Sequence, residues 1–281
     1  MNPLDIPLGF CSNFLFVPGT RPERFIKAFD SGAAGVIIDL EDAVPEEDKK
    51  SARDAIRTAW PTFNAEQKKR LVIRTNAPGT PFYAADLILA QELDVGCLLI
   101  PKSESQDQIN GAALILPNTA IIPMIETAIG LDRLREIANA NQVIRLALGN
   151  LDLQADLGMV CDLQETQLHT ARYQIVLASR VAQIAPPIDG VTPSTDDIQR
   201  ISDDAERAKR LGFGGKLCIH PKQVLLVQNA FMPTEEEVAW AQRVIEADQA
   251  SKGAAIKLDG RMIDRPVVLL AQGTIALAGK H

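Results

Sequence analysis

The sequence predicts an α/β fold, a closed (β/α)8 TIM barrel with a C-terminal extension of helices and a hairpin. Eight short apolar runs recur along the 281 residues, and most are continuous instead of alternating, as expected for strands buried on both faces. Segments with helical spacing lie between them, and alternating strands and helices indicate a parallel sheet. Eight such units in roughly 250 residues fit a closed barrel.

The predicted elements follow one another along the chain. The predicted strands are Phe14–Val17, Val36–Leu40, Leu71–Thr75, Cys97–Ile100, Ala120–Ile125, Val143–Leu148, Ile188–Val191 and Lys216–Ile219. Helices are predicted over Pro22–Ser31, Ala128–Ala140 and Ala171–Ala185, the last because apolar side chains recur there at intervals of four and three residues.

A doubly wound open sheet is the structural alternative. It lacks its glycine fingerprint here, because the first strand ends in VPGTRPER instead of GxGxxG. We therefore predict a barrel domain over 1–232 and an extension over 233–281 that packs on the barrel or on a neighbouring subunit. In the extension, Thr234 is expected to cap a helix with an acidic first turn that ends near Lys252–Gly253, before a hairpin-like piece and a last helix.

Composition excludes several classes of function. Asp and Glu outnumber Lys and Arg by 36 to 29, and the net charge of −7 argues against a broad nucleic-acid-binding surface. Three histidines are too few for a histidine-rich metal site, so carboxylates would hold most of any metal, which favours a hard ion such as Mg²⁺. No apolar window approaches membrane-spanning length, and the N-terminus does not resemble a signal peptide. We expect a cytoplasmic protein that binds neither membranes nor nucleic acid.

Polar residues follow several predicted strands, at the rim where barrel enzymes carry their chemistry. Glu126 directly follows the apolar run AIIPMI, where a lone carboxylate needs a partner or a metal. Asp152 lies just beyond Gly149, which lets the backbone turn close to a ligand. Arg74, at the end of the third strand, suits a carboxylate. Two carboxylates and an arginine are suited to holding Mg²⁺ and an α-keto acid, or to stabilising an enolate.

Three further polar residues end predicted strands. For each of them alone, a structural role is favoured over a catalytic one. They are Asp39, Lys102 and His220.

Seven segments, in order, carry a family resemblance. They are SNFLFVPGTRPERFIKAFDSGAAGVIIDLEDAVPEEDK, VIRTN, LLIPKSES, IIPMIETAIGL, LGNLDLQADLG, GKLCIHPKQV and LDGRMIDRPVV. Together they resemble the citrate lyase β-subunit-like family, which belongs with the malyl-CoA and citramalyl-CoA lyases and the HpcH/HpaI aldolases. The resemblance extends from about Ser12 to Ala271.

The resemblance implies a Mg²⁺-dependent TIM barrel that makes or breaks a carbon–carbon bond in a 3-hydroxyacyl thioester, with an acyl-CoA and a keto acid as its small-molecule partners. By similarity, Glu126 and Asp152 are the metal ligands, Glu126 also lies against the substrate, and Arg74 binds the substrate carboxylate. Asp264 resembles the acid/base that reaches a neighbouring subunit's site, and the relatives imply a homotrimer or hexamer. One departure is GNLDL in place of the common GAEDL, which puts Leu151 where relatives have a carboxylate.

Two other functions remain open. A metal-dependent aldolase acting on free keto acids would need no basic groove for CoA. The candidate CoA contacts Lys102, Arg21 and Arg24 are equally credible as surface charges. The third hypothesis is a non-catalytic subunit of a larger lyase complex. It is supported by Leu151, which stands where relatives have a carboxylate.

Overall fold

A computed structural model describes residues 7–251 and 254–279. Eight parallel strands close a barrel in chain order, as the sequence predicts. They are β1 (Asn13–Pro18), β2 (Gly35–Asp39), β3 (Leu71–Arg74), β4 (Cys97–Ile100), β5 (Ala120–Ile125), β6 (Ala147–Leu148), β7 (Ile188–Asp189) and β8 (Gly215–Cys218). Pairing of Phe14 in β1 with Leu217 in β8 closes the ring. Strands β6 and β7 are shorter than predicted, with two residues each.

Ten helices lie between the strands of the barrel along the described residues, and an eleventh follows β8. They are α1 (Phe25–Asp30), α2 (Lys49–Ala59), α3 (Ala65–Lys69), α4 (Tyr83–Glu92), α5 (Gln106–Ile115), α6 (Ala128–Asp132), α7 (Leu134–Ala138), α8 (Asn150–Asp156), α9 (His169–Val181), α10 (Ile198–Arg210) and α11 (Pro221–Phe231). In the part of the chain described above, no helix has both the length and the apolar character that crossing a membrane requires.

Three predicted helices differ in detail from the observed ones. The segment Pro22–Ser31 is a 3-10 turn followed by the short helix α1. The segment Ala128–Ala140 is divided into α6 and α7 at Arg133, whose backbone (φ −98°, ψ 19°) leaves the helical region. Helix α9 ends before Ala185, because Gln183 takes a positive φ of 57°, a conformation that terminates helices.

Apolar side chains from the strands fill the barrel. Cys97, Leu99 and Ile122 are members of one buried cluster that also includes Phe14 and Leu217. Strands enclosed by helices outside and by this cluster inside have no solvent-exposed face, which explains their continuous apolar sequences. Because this cluster fills the centre of the barrel, polar residues lie at its two ends.

Arg145 occupies the N-terminal end of the barrel and is completely buried. Its guanidinium donates to the carbonyl oxygens of Leu8 (3.0 Å), Cys11 (2.8 Å), Pro186 (2.7 Å) and Pro187 (3.4 Å). Burial lowers its pKa to about 10. Carbonyl dipoles thus satisfy the buried cation at the end opposite the carboxyl ends of the strands.

The chain divides into two compact units, Met1–Gln228 and Asn229–His281. The second contains α12 (Glu235–Ser251), an antiparallel pair of β9 (Ile256–Leu258) and β10 (Arg261–Ile263), and α13 (Arg265–Ala278). Thr234 caps α12 as predicted, since its hydroxyl accepts from the Glu237 amide at 3.1 Å. The predicted end of this helix at Lys252–Gly253 lies outside the described residues. How the extension packs on other parts of the assembly stays a prediction.

Candidate functional site

A cleft of about 390 Å³ opens where the strands of the barrel end. Charged residues lie on the side of β2, β3 and β6, and apolar residues line the rest. The lining residues are Phe16, Pro18, Asp39, Asp42, Ala43, Arg74, Met124, Gly149, Asn150, Leu151, Asp152, Val191 and Ile219. This is the rim at which the sequence places the candidate residues.

Arg74, the last residue of β3, is held by Asp39 at the end of β2. Its Nε and Nη2 donate to the two oxygens of Asp39, both at 2.7 Å, and strand pairing sets the two residues opposite each other. The Asp39 carboxylate also accepts from the amides of Glu41 and Ala43. Burial alone would lower the pKa of Arg74, but the carboxylates of Asp39, Glu41 and Asp42 outweigh it and raise that pKa above its ordinary value. Arg74 therefore stays charged, and Asp39 has the structural role favoured for it.

Glu41 links Arg74 to Lys102. Its Oε2 lies 3.0 Å from Arg74 Nη1, and its Oε1 accepts from Lys102 Nζ at 2.7 Å. Burial raises the pKa of Glu41 in spite of both cations. For Lys102, burial is outweighed by the hydrogen bond to Glu41 and the charge of Glu126, which raise its pKa to about 12. Lys102 Nζ is also 3.8 Å from Glu126 Oε1, so it connects the two carboxylates.

Glu126 directly follows β5 and is only 1% exposed. Its Oε1 accepts from the backbone amide of Lys102 at 2.7 Å. Lys102 holds a left-handed φ of 46°, which non-glycine residues seldom adopt away from turns and functional sites. The Oε2 atom of Glu126 is buried without a hydrogen-bond partner among the described residues. Burial, followed by the charge of Glu41, raises the pKa of Glu126 to about 8. A buried carboxylate oxygen of this kind calls for a proton or a cation.

The first turn of α8 brings Asp152 to the same rim. Between β6 and this helix, Gly149 packs against Glu126 so closely that a Cβ would lie 2.3 Å from Glu126 Oε2 and 2.6 Å from Glu126 Cβ. Only glycine allows this approach. The charge of Asp152, which is half-buried, contributes to the raised pKa of Glu126. The two predicted metal ligands therefore lie near enough to interact electrostatically.

This donor set fits a hard divalent cation. Across residues 7–251 and 254–279, no group of three or more His, Cys, Asp and Glu side chains is arranged to hold a metal. Mg²⁺ does not need such a group, because it is commonly bound by one or two carboxylates and completes its shell with water and substrate oxygens. The orphaned Glu126 Oε2 and the nearby Asp152 could supply those carboxylates.

Leu151 contributes to the apolar side of the cleft. Its side chain is 46% exposed, and Ile219, another lining residue, is 42% exposed. Large apolar side chains are thus open to solvent beside a charged floor. A ligand that fits this cleft would place polar groups toward Arg74 and Asp152 and carbon atoms toward Leu151.

Two sets of predicted residues are placed elsewhere. Asp264 belongs to the second unit, where its Oδ1 accepts from the Val267 amide at 3.5 Å and caps α13. Its reach into a neighbouring subunit's site stays a prediction. The candidate CoA contact Arg21 pairs with Glu23 at 2.6 Å, and Arg24 lies 3.8 Å from the same carboxylate. The side chains of Arg21, Arg24 and Glu23 are all about half-exposed. Binding of CoA by Arg21 and Arg24 stays a prediction.

Glu41 and Asn150 were missed as site residues. Glu41 lies two positions beyond β2 in the acidic string DLED, where the sequence does not distinguish a buried carboxylate from the exposed one at Asp42. Asn150 starts α8 and lines the cleft, and its side chain contacts residues about 15 and 41 positions away. The polar residues that follow each apolar run were the available signal for both.

Comparisons with known proteins agree with this architecture. Residues 13–221 match the HpcH/HpaI aldolase/citrate lyase family. The citrate lyase subunit beta-like protein of Mycobacterium tuberculosis is 33% identical over 273 residues, which are 95% of each chain. A (3S)-malyl-CoA thioesterase of Cereibacter sphaeroides is 29% identical over 268 residues, 94% of this chain and 93% of the relative.

A solved structure shows the same fold. The CitE protein of Mycobacterium tuberculosis, in complex with magnesium, acetoacetate and coenzyme A, has a TM-score of 0.86 and 33% identity, covering 97% of this chain and all of that one. The named relatives are enzymes, and the resemblance carried by the seven sequence segments is confirmed. The chain belongs to the HpcH/HpaI aldolase/citrate lyase family.

Proposed function

We propose that this protein is a Mg²⁺-dependent carbon–carbon lyase. It cleaves or forms a 3-hydroxyacyl-CoA of the malyl-, citramalyl- or citryl-CoA type, giving an acyl-CoA and a keto acid. The observation that carries the proposal is the buried Oε2 of Glu126, which has no hydrogen-bond partner among residues 7–251 and 254–279 and lies beside Gly149. The CitE complex with magnesium, acetoacetate and coenzyme A supports the same set of ligands for this chain.

Glu126 and Asp152 would hold the metal. Bound Mg²⁺ supplies Lewis-acid stabilisation of oxygen atoms that gain negative charge in the reaction. Before any cation binds, Glu126 has a pKa of about 8, so much of it carries a proton at neutral pH. Lys102 keeps the other oxygen of Glu126 in place through its backbone amide, so Oε2 is the oxygen available to a cation.

Arg74 would bind the carboxylate of the substrate. Asp39 occupies its Nε and Nη2, and Glu41 Oε2 lies 3.0 Å from Nη1, so the Nη1 hydrogen that faces Asp42 is the donor available to a ligand. Nη1 now lies 3.4 Å from Asp42, whose side chain is more than half exposed. A substrate carboxylate could replace Asp42 at this nitrogen while Asp39 keeps the guanidinium in position.

The proton transfers complete the proposed reaction. A base removes the proton of the substrate hydroxyl, the neighbouring carbon–carbon bond breaks, and its electron pair passes to the thioester as an enolate. Protonation of the enolate at carbon gives the acyl-CoA, and the former carbinol carbon becomes the carbonyl of the keto acid. We assign this protonation to Asp264 of a neighbouring copy in a homotrimer or hexamer.

The test is a substrate panel with the purified chain. Malyl-, citramalyl- and citryl-CoA are each incubated with and without Mg²⁺, and acyl-CoA and keto acid are quantified. We expect both products from at least one substrate, only with Mg²⁺, and loss of most activity in Glu126→Ala. Full activity of that variant would contradict the metal assignment.

A thioesterase is the second candidate, because the similar Cereibacter sphaeroides protein is named a (3S)-malyl-CoA thioesterase. It would release free CoA and an intact hydroxy acid in the same panel. Activity on free keto acids without acetyl-CoA binding would indicate the aldolase. No activity of the isolated chain on any substrate would favour the non-catalytic subunit.

A further inference from the structure

The barrel is weakly paired between β6 and β7, next to the candidate metal site. Each strand has two residues, and their register contains the single pair Ala147 and Ile188. Gly149 and α8, which carries Asp152, begin immediately beyond this pairing. Side-chain contacts beyond this pairing therefore contribute to the position of the first turn of α8 relative to β7.

The side chain of Asn150 connects the first turn of α8 to Val191, which follows β7. Its Oδ1 accepts from the Val191 amide at 2.9 Å, and its Nδ2 donates to the Val191 carbonyl at 3.0 Å. A side-chain amide thus pairs with one backbone residue as a further strand residue would. At Gly190 a Cβ would lie 2.1 Å from Asn150 Oδ1, so the contact also requires glycine there.

Glu165 determines the orientation of this amide. The second hydrogen on Asn150 Nδ2 is donated to Glu165 Oε1 at 2.7 Å, and the same oxygen accepts from Gln154 of α8 at 3.2 Å. Glu165 Oε2 pairs with Arg172, which in turn donates to Asp189 at the end of β7 at 2.9 Å. A reversed amide would turn its oxygen toward a carboxylate and a carbonyl, so only the observed orientation satisfies every group.

The first turn of α8 is therefore held from two sides. Gly149 packs against Glu126, directly after β5, and Asn150, which is 1% exposed, bonds to Val191, two positions beyond β7. Asp152 follows two residues later on the same turn. We propose that Asn150 is a positioning residue that, together with Glu165, fixes Asp152 at the distance from Glu126 that Mg²⁺ binding requires. The inference rests on the proposed metal site.

The decisive variant is Asn150→Asp, which keeps the shape of the side chain. It replaces the donor facing Glu165 and the Val191 carbonyl with an acceptor, and it adds a negative charge near Asp152. Charge alone would strengthen Mg²⁺ binding, whereas loss of positioning would weaken it. The two effects have opposite signs, so the direction of the change identifies the cause.

We would measure the Mg²⁺ dissociation constant by calorimetry, and the unfolding free energy by urea, on the full chain. We expect Asn150→Asp and Asn150→Ala to weaken Mg²⁺ binding by roughly 10–100-fold, the usual effect of losing a group that orients a metal ligand. The exposed Asn139 gives a control with the same charge change, and Asn139→Asp should bind Mg²⁺ as the wild type does. A purely stabilising role would lower the unfolding free energy without changing the dissociation constant of the folded protein.

The outcomes separate this inference from the proposed function. Equal or tighter Mg²⁺ binding by Asn150→Asp would overturn the positioning role and leave the lyase proposal standing. If Asn150→Asp does not fold, unchanged binding by Asn150→Ala would overturn it in the same way. A wild-type protein that binds no Mg²⁺ would overturn both proposals.

Discussion

Gly149→Ala tests the construction of the candidate metal site with a single carbon atom. The added Cβ would lie 2.3 Å from Glu126 Oε2 and 2.6 Å from Glu126 Cβ. Rotation of the carboxylate could relieve the first contact, but Cβ is fixed to the end of β5, so β5 and α8 must separate. Overpacking of this kind costs about 1–3 kcal/mol of unfolding free energy. The shift should also weaken Mg²⁺ binding about 10-fold or more, because it displaces a ligand.

Urea unfolding of the metal-free protein and calorimetric Mg²⁺ titration measure the two effects. Gly96→Ala is the matched control, since a Cβ at this exposed glycine meets nothing within 4 Å. That substitution should be neutral, or stabilising by up to ~1 kcal/mol through the unfolded chain. If Gly149→Ala were as stable as Gly96→Ala and bound Mg²⁺ equally well, the close packing of Gly149 on Glu126 would be wrong.

Three other perturbations have defined outcomes. Asp39→Ala leaves the buried Arg74 guanidinium without the carboxylate that accepts two of its hydrogen bonds, and should lower the unfolding free energy by about 3–5 kcal/mol. The control Asp54→Ala removes an exposed carboxylate and should change the unfolding free energy little. Equal effects of the two variants in urea unfolding would contradict the pairing. In EDTA, the raised pKa of Glu126 means that the folded state binds more protons than the unfolded state between pH 4.5 and about 8. Wild-type stability should therefore fall relative to Glu126→Gln as pH rises through this window, by roughly 3–5 kcal/mol in total, and a constant difference would contradict it. Arg145→Met removes the donor from four carbonyls at the N-terminal end of the barrel and should cost about 3–5 kcal/mol in the same assay, so a neutral result would refute its role in satisfying them.

The barrel could be predicted because parallel strands buried on both faces have continuous apolar sequences. Runs such as Ala120–Ile125 are apolar throughout, since neither face meets water. The apolar sequence does not predict the length of a strand where side chains replace backbone hydrogen bonds between neighbouring segments. Val143–Leu148 is apolar except for Arg145, yet only Ala147–Leu148 forms β6. Before this strand the Arg145 side chain bonds to the carbonyls of Pro186 and Pro187, and after it Asn150 bonds to Val191.

The sequence also predicts which residues lie at the carboxyl-end rim of the barrel, but it does not predict which of their side chains pair with one another. Parallel strands bring their carboxyl ends together, so Arg74, Glu126 and Asp152 could be expected at one edge before any distance was known. The choice of partners depends on side-chain geometry between distant segments. Lys102 reaches Glu41 across 61 positions, and no spacing along the chain encodes that contact.

The carbon–carbon bond itself provides the most direct test of the proposed function. Malyl-, citramalyl- and citryl-CoA can be made with ¹³C at both carbons of the bond to be broken, and NMR then follows their one-bond coupling. We predict that the coupling disappears with wild-type protein and Mg²⁺, and that it persists in EDTA and in Glu126→Gln. Release of CoA with the coupling intact would identify a thioesterase, and a coupling that persists for all three substrates with Mg²⁺ would contradict the lyase.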